Sequence, residues 1–421
     1  MARGKTMEPI VRSLIVKGFR SLASVKIEFG NPTFLVGHNG AGKSNIGDAL
    51  GFISEAMTSP LREVIDKRGG ISTVCTQIPG RRGPGRLGLS VDFQLTEWLQ
   101  FIENPPADLP PDMLAFARYA FELNPVGEFD FEVSREQCVL HARNGERRWF
   151  DRRHKQAKSN IPGFNKMDLF SPSSLAMPVL GGVLPFESVT QTLGRMKVYS
   201  IDTAALREMQ DPESGAELRS DGRNAASVFE EIERRSPESI SRIREILSAI
   251  VPNTLKLDTI QHGRKLTIEF TQGWGKRKKF SFEAFSMSDG TLRALGLLLA
   301  VFQINKPSLI FIDEPEASIH PGAAGAILDT LKHAASTMQV VVSTQSPEIL
   351  DAKWIEGKNL RSVVWREGAT HVEEIPENAK RALQVHLMGA GELLRSEALE
   401  PSPTSQESIS QGPELFEDIS W

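Results

Sequence analysis

The chain has 421 residues, 40% of them hydrophobic and 24% charged, with a formal net charge of −4; this length exceeds one compact core, so two lobes or a domain with a large insertion are expected. The charge excludes a uniformly basic nucleic-acid coat, and two distant cysteines, Cys75 and Cys138, lack metal-ligand spacing and read as thiols of a reducing compartment. The N-terminus has no signal-peptide core and the longest apolar run, "ALGLLLAVFQI", is too short for a bilayer, so a cytoplasmic protein without a membrane partner is expected.

In chain order, "SLIVKGFRSLASVKIEFGNPTFLVG" reads as three short strands, and "KSNIGDALGFISEAM" as a helix with Ile46, Leu50 and Ile53 on one face. Between them "GHNGAGKS" matches G-x-x-x-x-G-K-[ST], in the strand–loop–helix setting that a phosphate loop requires. Gly37, Gly40 and Gly42 let the backbone curl so that its N–H groups face phosphate oxygens. Lys43 would reach the β- and γ-phosphates and Ser44 would ligate Mg²⁺, while His38, Asn39, Ala41 and Asn45 complete the loop. ATP and Mg²⁺ are the cofactors expected.

From about 70 to 195 the chain reads as irregular and rich in Pro and Gly, with strand-like pieces such as "LGLSVDFQL" and "EFDFEVS". "ARNGERRWFDRRHKQAK" interleaves Trp149 and Phe150 with Arg147, Arg148, Arg152, Arg153 and Lys155, and "GRRGPGR" (80–86) is a further basic loop. Cations beside stackable rings are the components of a DNA or RNA surface, although solvated turns also carry such runs. Residues 223–250 read as two helices broken near Ser236-Pro237. "RKLTIEFTQGWGKRKKFSFEAF" reads as a hairpin whose buried face holds Leu266, Ile268, Phe270, Phe280 and Phe282. Its tip, Trp274 with Lys276, Arg277, Lys278 and Lys279, is a second nucleic-acid candidate.

Ser288 is a helix N-cap followed by Asp289 and Gly290, with Leu292, Leu295, Leu299 and Phe302 as the buried stripe. In "SLIFIDEPEASIHP" an apolar strand ends on Asp313 and Glu314, two carboxylates that are costly there unless a cation or substrate uses them. Asp313 suits a metal or its bound water, and Glu314 is placed to polarise an attacking water as general base. A helix near 322–335 and a second apolar strand, "VVVS", follow. Apolar strands alternating with helices indicate a parallel sheet covered on both faces. The last 25 residues contain no Lys or Arg and are rich in Ser, Pro and acids. A solvated, disordered tail is expected, with "LFEDISW" as a less favoured docking peptide.

The P-loop, Ser-Asp-Gly-Thr, "FIDEPEASIHP" and "VVVSTQSPEIL" together resemble the ABC-type ATPase heads of the SMC/RecF-like and OLD-like group, and "LIVKGFRSLASVKIEF" resembles that group's N-terminal strands. The resemblance covers roughly residues 10–95 and 260–355. It implies an α/β P-loop NTPase head with a mainly parallel sheet, an antiparallel β subdomain and a helical insertion. The expected parts are an N-terminal lobe (1–95), an insertion (96–260), a C-terminal lobe (261–375) and a C-terminal helix with an acidic tail (376–421). It further implies that two heads dimerise around ATP, with Ser288 and Gly290, and Asp289 between them, facing the nucleotide of the other copy. Glu316, Ile319 and His320 match the segment crossing that interface, Arg20 a position near the nucleotide, and Gln77 the metal-sensing glutamine.

Gln345 stands where transporter-type members have a γ-phosphate-sensing histidine, and glutamine cannot become an imidazolium, so either slow hydrolysis or a Gln345 that only positions water is expected. The signature lacks the transporter type's second glycine and following glutamine, and no coiled-coil arm fills the insertion. The reading is a dimerising ATPase that switches DNA binding or a partner nuclease, for instance of the Toprim kind, in DNA repair or anti-phage defence. The alternatives are a nucleotide-dependent clamp with little hydrolysis and, less favoured, a transporter ATPase subunit.

Overall fold

The computed structural model describes residues 6–77, 85–95, 116–142, 145–161, 166–167, 171–182, 186–274, 278–401 and 412–419. It divides into two compact units, the first comprising Glu8–Met196, Lys358–Glu377 and Leu399–Trp421, and the second Met1–Met7, Lys197–Gly357 and Asn378–Ala398.

The first unit opens with β1 (Val11–Phe19) and β2 (Leu22–Glu28), an antiparallel pair, then the wholly buried β3 (Thr33–Val36) and helix α1 (Lys43–Thr58). Short helices α2 (Leu61–Asp66) and α3 (Ile71–Val74) follow, then β4 (Leu87–Gln94), β5 (Phe116–Val126), β6 (Asp130–His141), β7 (Arg147–Arg153), β8 (Gln156–Ser159) and β9 (Lys166–Met167). These strands make an eight-stranded sheet in the order β2-β1-β4-β5-β6-β7-β8-β9, antiparallel throughout. Helices α4 (Met177–Leu180) and α5 (Glu187–Gly194) close this stretch.

Much of the region expected to be irregular is therefore sheet. The alternation that announces a half-buried strand is blurred because both faces are covered: Gln137, Cys138, Val139 and Leu140 of β6 are consecutive and all buried. On the inner face Phe52 of α1 stacks with Phe121 of β5 at 6.2 Å and meets Phe19 of β1 edge-on at 5.8 Å. Both cysteines are buried, and burial pushes the Cys75 thiol up to about 12.

The second unit holds β10 (Lys197–Tyr199), α6 (Thr203–Arg207), α7 (Ala225–Arg235), α8 (Pro237–Ile250), β11 (Thr254–His262), β12 (Lys265–Trp274), β13 (Lys278–Glu283), α9 (Asp289–Phe302), β14 (Leu309–Asp313), α10 (Ala324–Ala334), β15 (Gln339–Thr344) and α11 (Pro347–Leu350). Strand β14 pairs in parallel with β10 and with β15. The break between α7 and α8 falls at Ser236, with Pro237 at the first position of the new helix, where a missing N–H costs nothing.

Strands β11, β12 and β13 form a separate antiparallel sheet. Leu266, Ile268 and Phe270 are buried, but Phe280 and Phe282 are 48% and 39% exposed, against expectation. Helices α7 and α8 pack on β11 and β12, whereas β13 is the edge strand that they do not cover. Sequence alternation marks a face but not where the layer above it ends.

The chain returns to the first unit as β16 (Leu360–Arg366), parallel to β3, and β17 (Ala369–Glu374), antiparallel to β16. Then come α12 (Glu377–Gln384) and α13 (Ala390–Arg395), which from Asn378 on belong to the second unit. In the terminal tail, Gly412–Ile419 lies on the eight-stranded sheet, with Leu415 5% exposed. A solvated tail is thus incorrect for these residues, because Leu415 is buried at Gly88 and Gln137 bonds both backbone groups of Glu417. Residues 402–411 lie outside the described residues. Among the described residues no helix is long and apolar enough to cross a membrane.

Candidate functional site

The loop after β3 has the backbone that a phosphate cradle needs. Gly40 and Gly42 have φ of 78° and 101°, which L side chains rarely adopt. A Cβ on Gly37 would lie 2.0 Å from the Val363 carbonyl oxygen on β16, and one on Gly42 would lie 2.0 Å from the Thr370 hydroxyl. Lys43 is 5% exposed and its Nζ donates to the carbonyls of Gly37 (2.7 Å) and His38 (3.0 Å), so the ammonium is folded under the loop. Ser44 is exposed at the start of α1, as are His38, Asn39 and Gly40, while Ala41 is buried. His38 also pairs with Glu400 at 3.1 Å. A glycine loop with outward-facing backbone, a lysine tucked beneath it and an exposed hydroxyl at a helix N-terminus fit a nucleotide polyphosphate with a divalent cation.

A hydroxyl network that the motif does not mention braces this loop. Thr370 of β17 donates to the Ala41 carbonyl (2.8 Å) and lies 2.7 Å from Ser21 Oγ, which accepts from Asn45 Nδ2 (2.6 Å). Ser21 is within the quoted Phe-Arg-Ser stretch; Thr370 is more than 300 positions away and only the fold identifies it. Arg20, expected near the nucleotide, has its Nε 2.7 Å from Asp48 of α1, and Asp48 also accepts from Arg68 at 2.8 Å. Gln77 is exposed and donates to the Ser72 carbonyl at 2.7 Å. Replacing Thr370 with Val removes the brace while keeping volume. We expect roughly tenfold weaker nucleotide binding, about 1.4 kcal/mol, in a fluorescent-nucleotide titration; unchanged affinity would mean the loop holds its shape unaided.

In the second unit, β14 delivers Asp313 and Glu314 at its C-terminal end, where parallel sheets present their ligand-binding residues. The Asp313 carboxylate accepts from the Ser343 hydroxyl of β15. Glu314 has φ of 44°, a left-handed value that costs a non-glycine residue about 1 kcal/mol or more. Its N–H is held by Ser343, 3.1 Å from the carbonyl and 3.2 Å from Oγ. Two residues on, Glu316 Oε1 accepts from Thr344 at 2.6 Å, while Oε2 is buried without a hydrogen-bond partner. Burial holds the Glu316 carboxyl above its usual range, against the pull of the Thr344 bond. Gln345 is exposed just past β15.

Ser288 is exposed and caps α9, accepting from the Thr291 N–H at 3.3 Å. Asp289 is tied to Arg207 at 2.6 Å, and hydrogen bonds from Thr203 and Arg207 hold its carboxyl below the usual range. Gly290 packs so closely that a Cβ would stand 2.2 Å from the Ser318 carbonyl oxygen. The Ser288–Gly290 turn is thereby brought against the segment running from Glu316 through Ile319 to the exposed His320.

The basic candidates of β7 do not share one face. Arg152 is wholly buried, donating to the carbonyls of His154, Ser171 and Ser174 at 2.6–2.8 Å and standing 3.6 Å from buried Glu136. Its place among nucleic-acid contacts is corrected: strand alternation turns Arg148, Phe150 and Arg152 to one face of β7 and Arg147 and Arg153 to the other. Arg147 and Arg153 are exposed and Arg148 half-buried. On the hairpin, Lys278 and Lys279 are exposed, only the backbone of Trp274 is described, and Lys276 and Arg277 lie outside the described residues.

Two family models match the chain without overlap: residues 13–78 match one described as "AAA domain", and residues 191–351 one described as "AAA domain, putative AbiEii toxin, Type IV TA system". No curated protein matches. Among solved structures the chain is similar to an Smc head bound to the C-winged helix domain of ScpA, with a TM-score of 0.54 and 18% identity over 89% of this chain and 100% of that one. It is also similar to the Smc head domain with an extended coiled coil, bound to the C-terminal domain of ScpA, from Pyrococcus furiosus, at 0.53 and 16% over 90% and 100%. The Smc head domain with a coiled coil and joint from Pyrococcus yayanosii gives 0.52 and 13% over 90% and 100%. At these identities the likeness is one of fold. The two matches are thus to AAA-domain models, and the fold is that of an ABC/SMC-like P-loop ATPase head.

Proposed function

We propose that the chain binds MgATP and hydrolyses it slowly, and that ATP pairs two copies to switch a DNA- or effector-binding state. Gly37 to Asn45 would enclose the phosphates and Lys43 neutralise them; Arg20 would stand nearby. Ser44, with Asp313 and Gln77, would hold Mg²⁺, which neutralises phosphate charge when bound. Glu314 polarises the attacking water by accepting its proton, and Gln345 positions that water through its amide. Ser288 and the amides near Gly290 serve the nucleotide of a second copy, with Glu316 and His320 at the contact.

The observation that carries this reading is the packing of Gly290 on Ser318, which supports one exposed surface made of both segments the resemblance assigns to the dimer contact. The effector is a nucleic acid reached through Arg147, Arg153, Lys278 and Lys279, or a partner nuclease, in a cytoplasmic repair or defence pathway. The toxin description attached to residues 191–351 favours defence. Gln345 in place of an ionisable side chain favours a second reading, a clamp that closes on ATP and barely turns over. Ser288→Arg tests the pairing: light scattering should show the ATP-driven dimer lost and turnover reduced at least tenfold, and a dimer that persists would refute the composite site.

A further inference from the structure

The C-terminal segment Gly412–Ile419 crosses the outer face of the eight-stranded sheet without joining it as a strand. Gly412 lies beside Ser24 of β2 and Lys17 of β1. Leu415 fills a notch at Gly88 of β4: the three atoms nearest to a Cβ built there all belong to Leu415, the closest at 2.3 Å. Phe416 lies under the Arg135 guanidinium at 4.3 Å. The backbone of Glu417 is read by one side chain, its N–H donating to Gln137 Oε1 (2.8 Å) and its carbonyl accepting from Gln137 Nε2 (3.0 Å). The Glu417 carboxylate is 2.9 Å from His141 Nε2.

This floor is built for a covering chain. Ser90, Ala120 and Gln137 share the outer face in register, and each is at most 1% exposed. Two of them are polar, on a sheet face where solvent would otherwise satisfy them. Charge is complementary: the Glu417 carboxylate faces His141, and the charges of Glu414 and Glu417 reach Arg118 beside its partner Asp92. Recognition is divided among an apolar notch, an aromatic–cation contact, a backbone clamp and a carboxylate site. None of these requires the peptide to be covalently continuous with the sheet, so the tether supplies only effective concentration, on the order of millimolar.

We propose that this face is a binding site for an acidic peptide carrying Leu-Phe-Glu, that the chain's own C-terminus is its resident ligand, and that the same segment of a second copy binds it in trans when the tethered one is displaced. The proposal is independent of the nucleotide chemistry. The test uses the full chain carrying Leu415→Asp and Phe416→Ala, so that its own segment is weakened, and a fluorescent peptide of residues 412–419 followed by anisotropy. Saturable binding is expected, at least about tenfold weaker to the unsubstituted chain, whose tethered segment competes. Adding Gly88→Val to the receptor fills the notch with a residue suited to a strand and should weaken binding at least tenfold, while circular dichroism and thermal unfolding verify the fold. Absent binding, equal affinity for the unsubstituted chain, indifference to Gly88→Val, or equal binding of a scrambled peptide would each overturn the proposal.

Discussion

Glu314→Gln is expected to lower steady-state ATP turnover by about 10²–10⁴-fold, the contribution of a positioned general base, while nucleotide affinity changes little. The amide keeps the size and hydrogen-bonding reach of the carboxylate but cannot accept the proton of an attacking water. Position 314 suits such a test because its backbone is fixed from outside: the strained φ of 44° is held by two contacts from its N–H to Ser343, which the substitution leaves in place. Phosphate release measured beside nucleotide binding separates the two effects. If hydrolysis stops while ATP stays bound, light scattering should show the ATP-driven dimer accumulating. Turnover within threefold of the unsubstituted chain would remove Glu314 from the chemistry and favour a clamp that hydrolyses little.

Arg152→Met should destabilise the first unit by about 3–5 kcal/mol, the usual cost of removing one member of a buried ion pair. Glu136 and Arg152 are both fully buried. Glu136 accepts from the N–H groups of Ala176 (2.6 Å) and Met177 (2.9 Å) at the start of α4 and from the Tyr119 hydroxyl (3.0 Å). Burial already pushes its carboxyl upward, and the neighbouring guanidinium is among the groups that oppose this. Without Arg152 the carboxylate must remain charged and under-compensated or take up a proton, and three carbonyls lose a hydrogen bond from the guanidinium. Arg153→Met is the control, since that side chain is 46% exposed and the Asp151 carboxylate, 3.5 Å from it, keeps Arg135 at 2.9 Å; a surface change of this kind costs within about 0.5 kcal/mol. Equal thermal shifts for the two variants would contradict the structural role assigned to Arg152.

The same segment shows why part of the candidate site was legible and part was not. "GHNGAGKS" and "FIDEPE" announce themselves because their chemistry is local: backbone curvature, a helix start and a strand end are set by neighbours within a few residues. "RRWFDRR" looked like a nucleic-acid surface because composition counts cations without knowing which way each faces. Strand alternation turned one arginine into the core, where a glutamate some 16 positions earlier received it. Thr370, Ser343 and Thr344, which hold the loop and the acidic strand end, carry no signal of their own, since a hydroxyl becomes a brace only when a distant element brings an acceptor within reach.

The sequence by itself determined the phosphate loop, the paired carboxylates, the capped α9 and the apolar strands of an α/β head, because each follows from propensity and spacing over a short window. Tertiary structure alone decided the extent of the antiparallel sheet across the insertion, the exposure of Phe280 and Phe282, the burial of Arg152 and the docking of Leu415. Those outcomes depend on what covers each face. A sheet buried on both sides loses its alternating pattern, an edge strand outruns its covering helices, and an acidic tail folds back when a glycine notch and an amide clamp receive it.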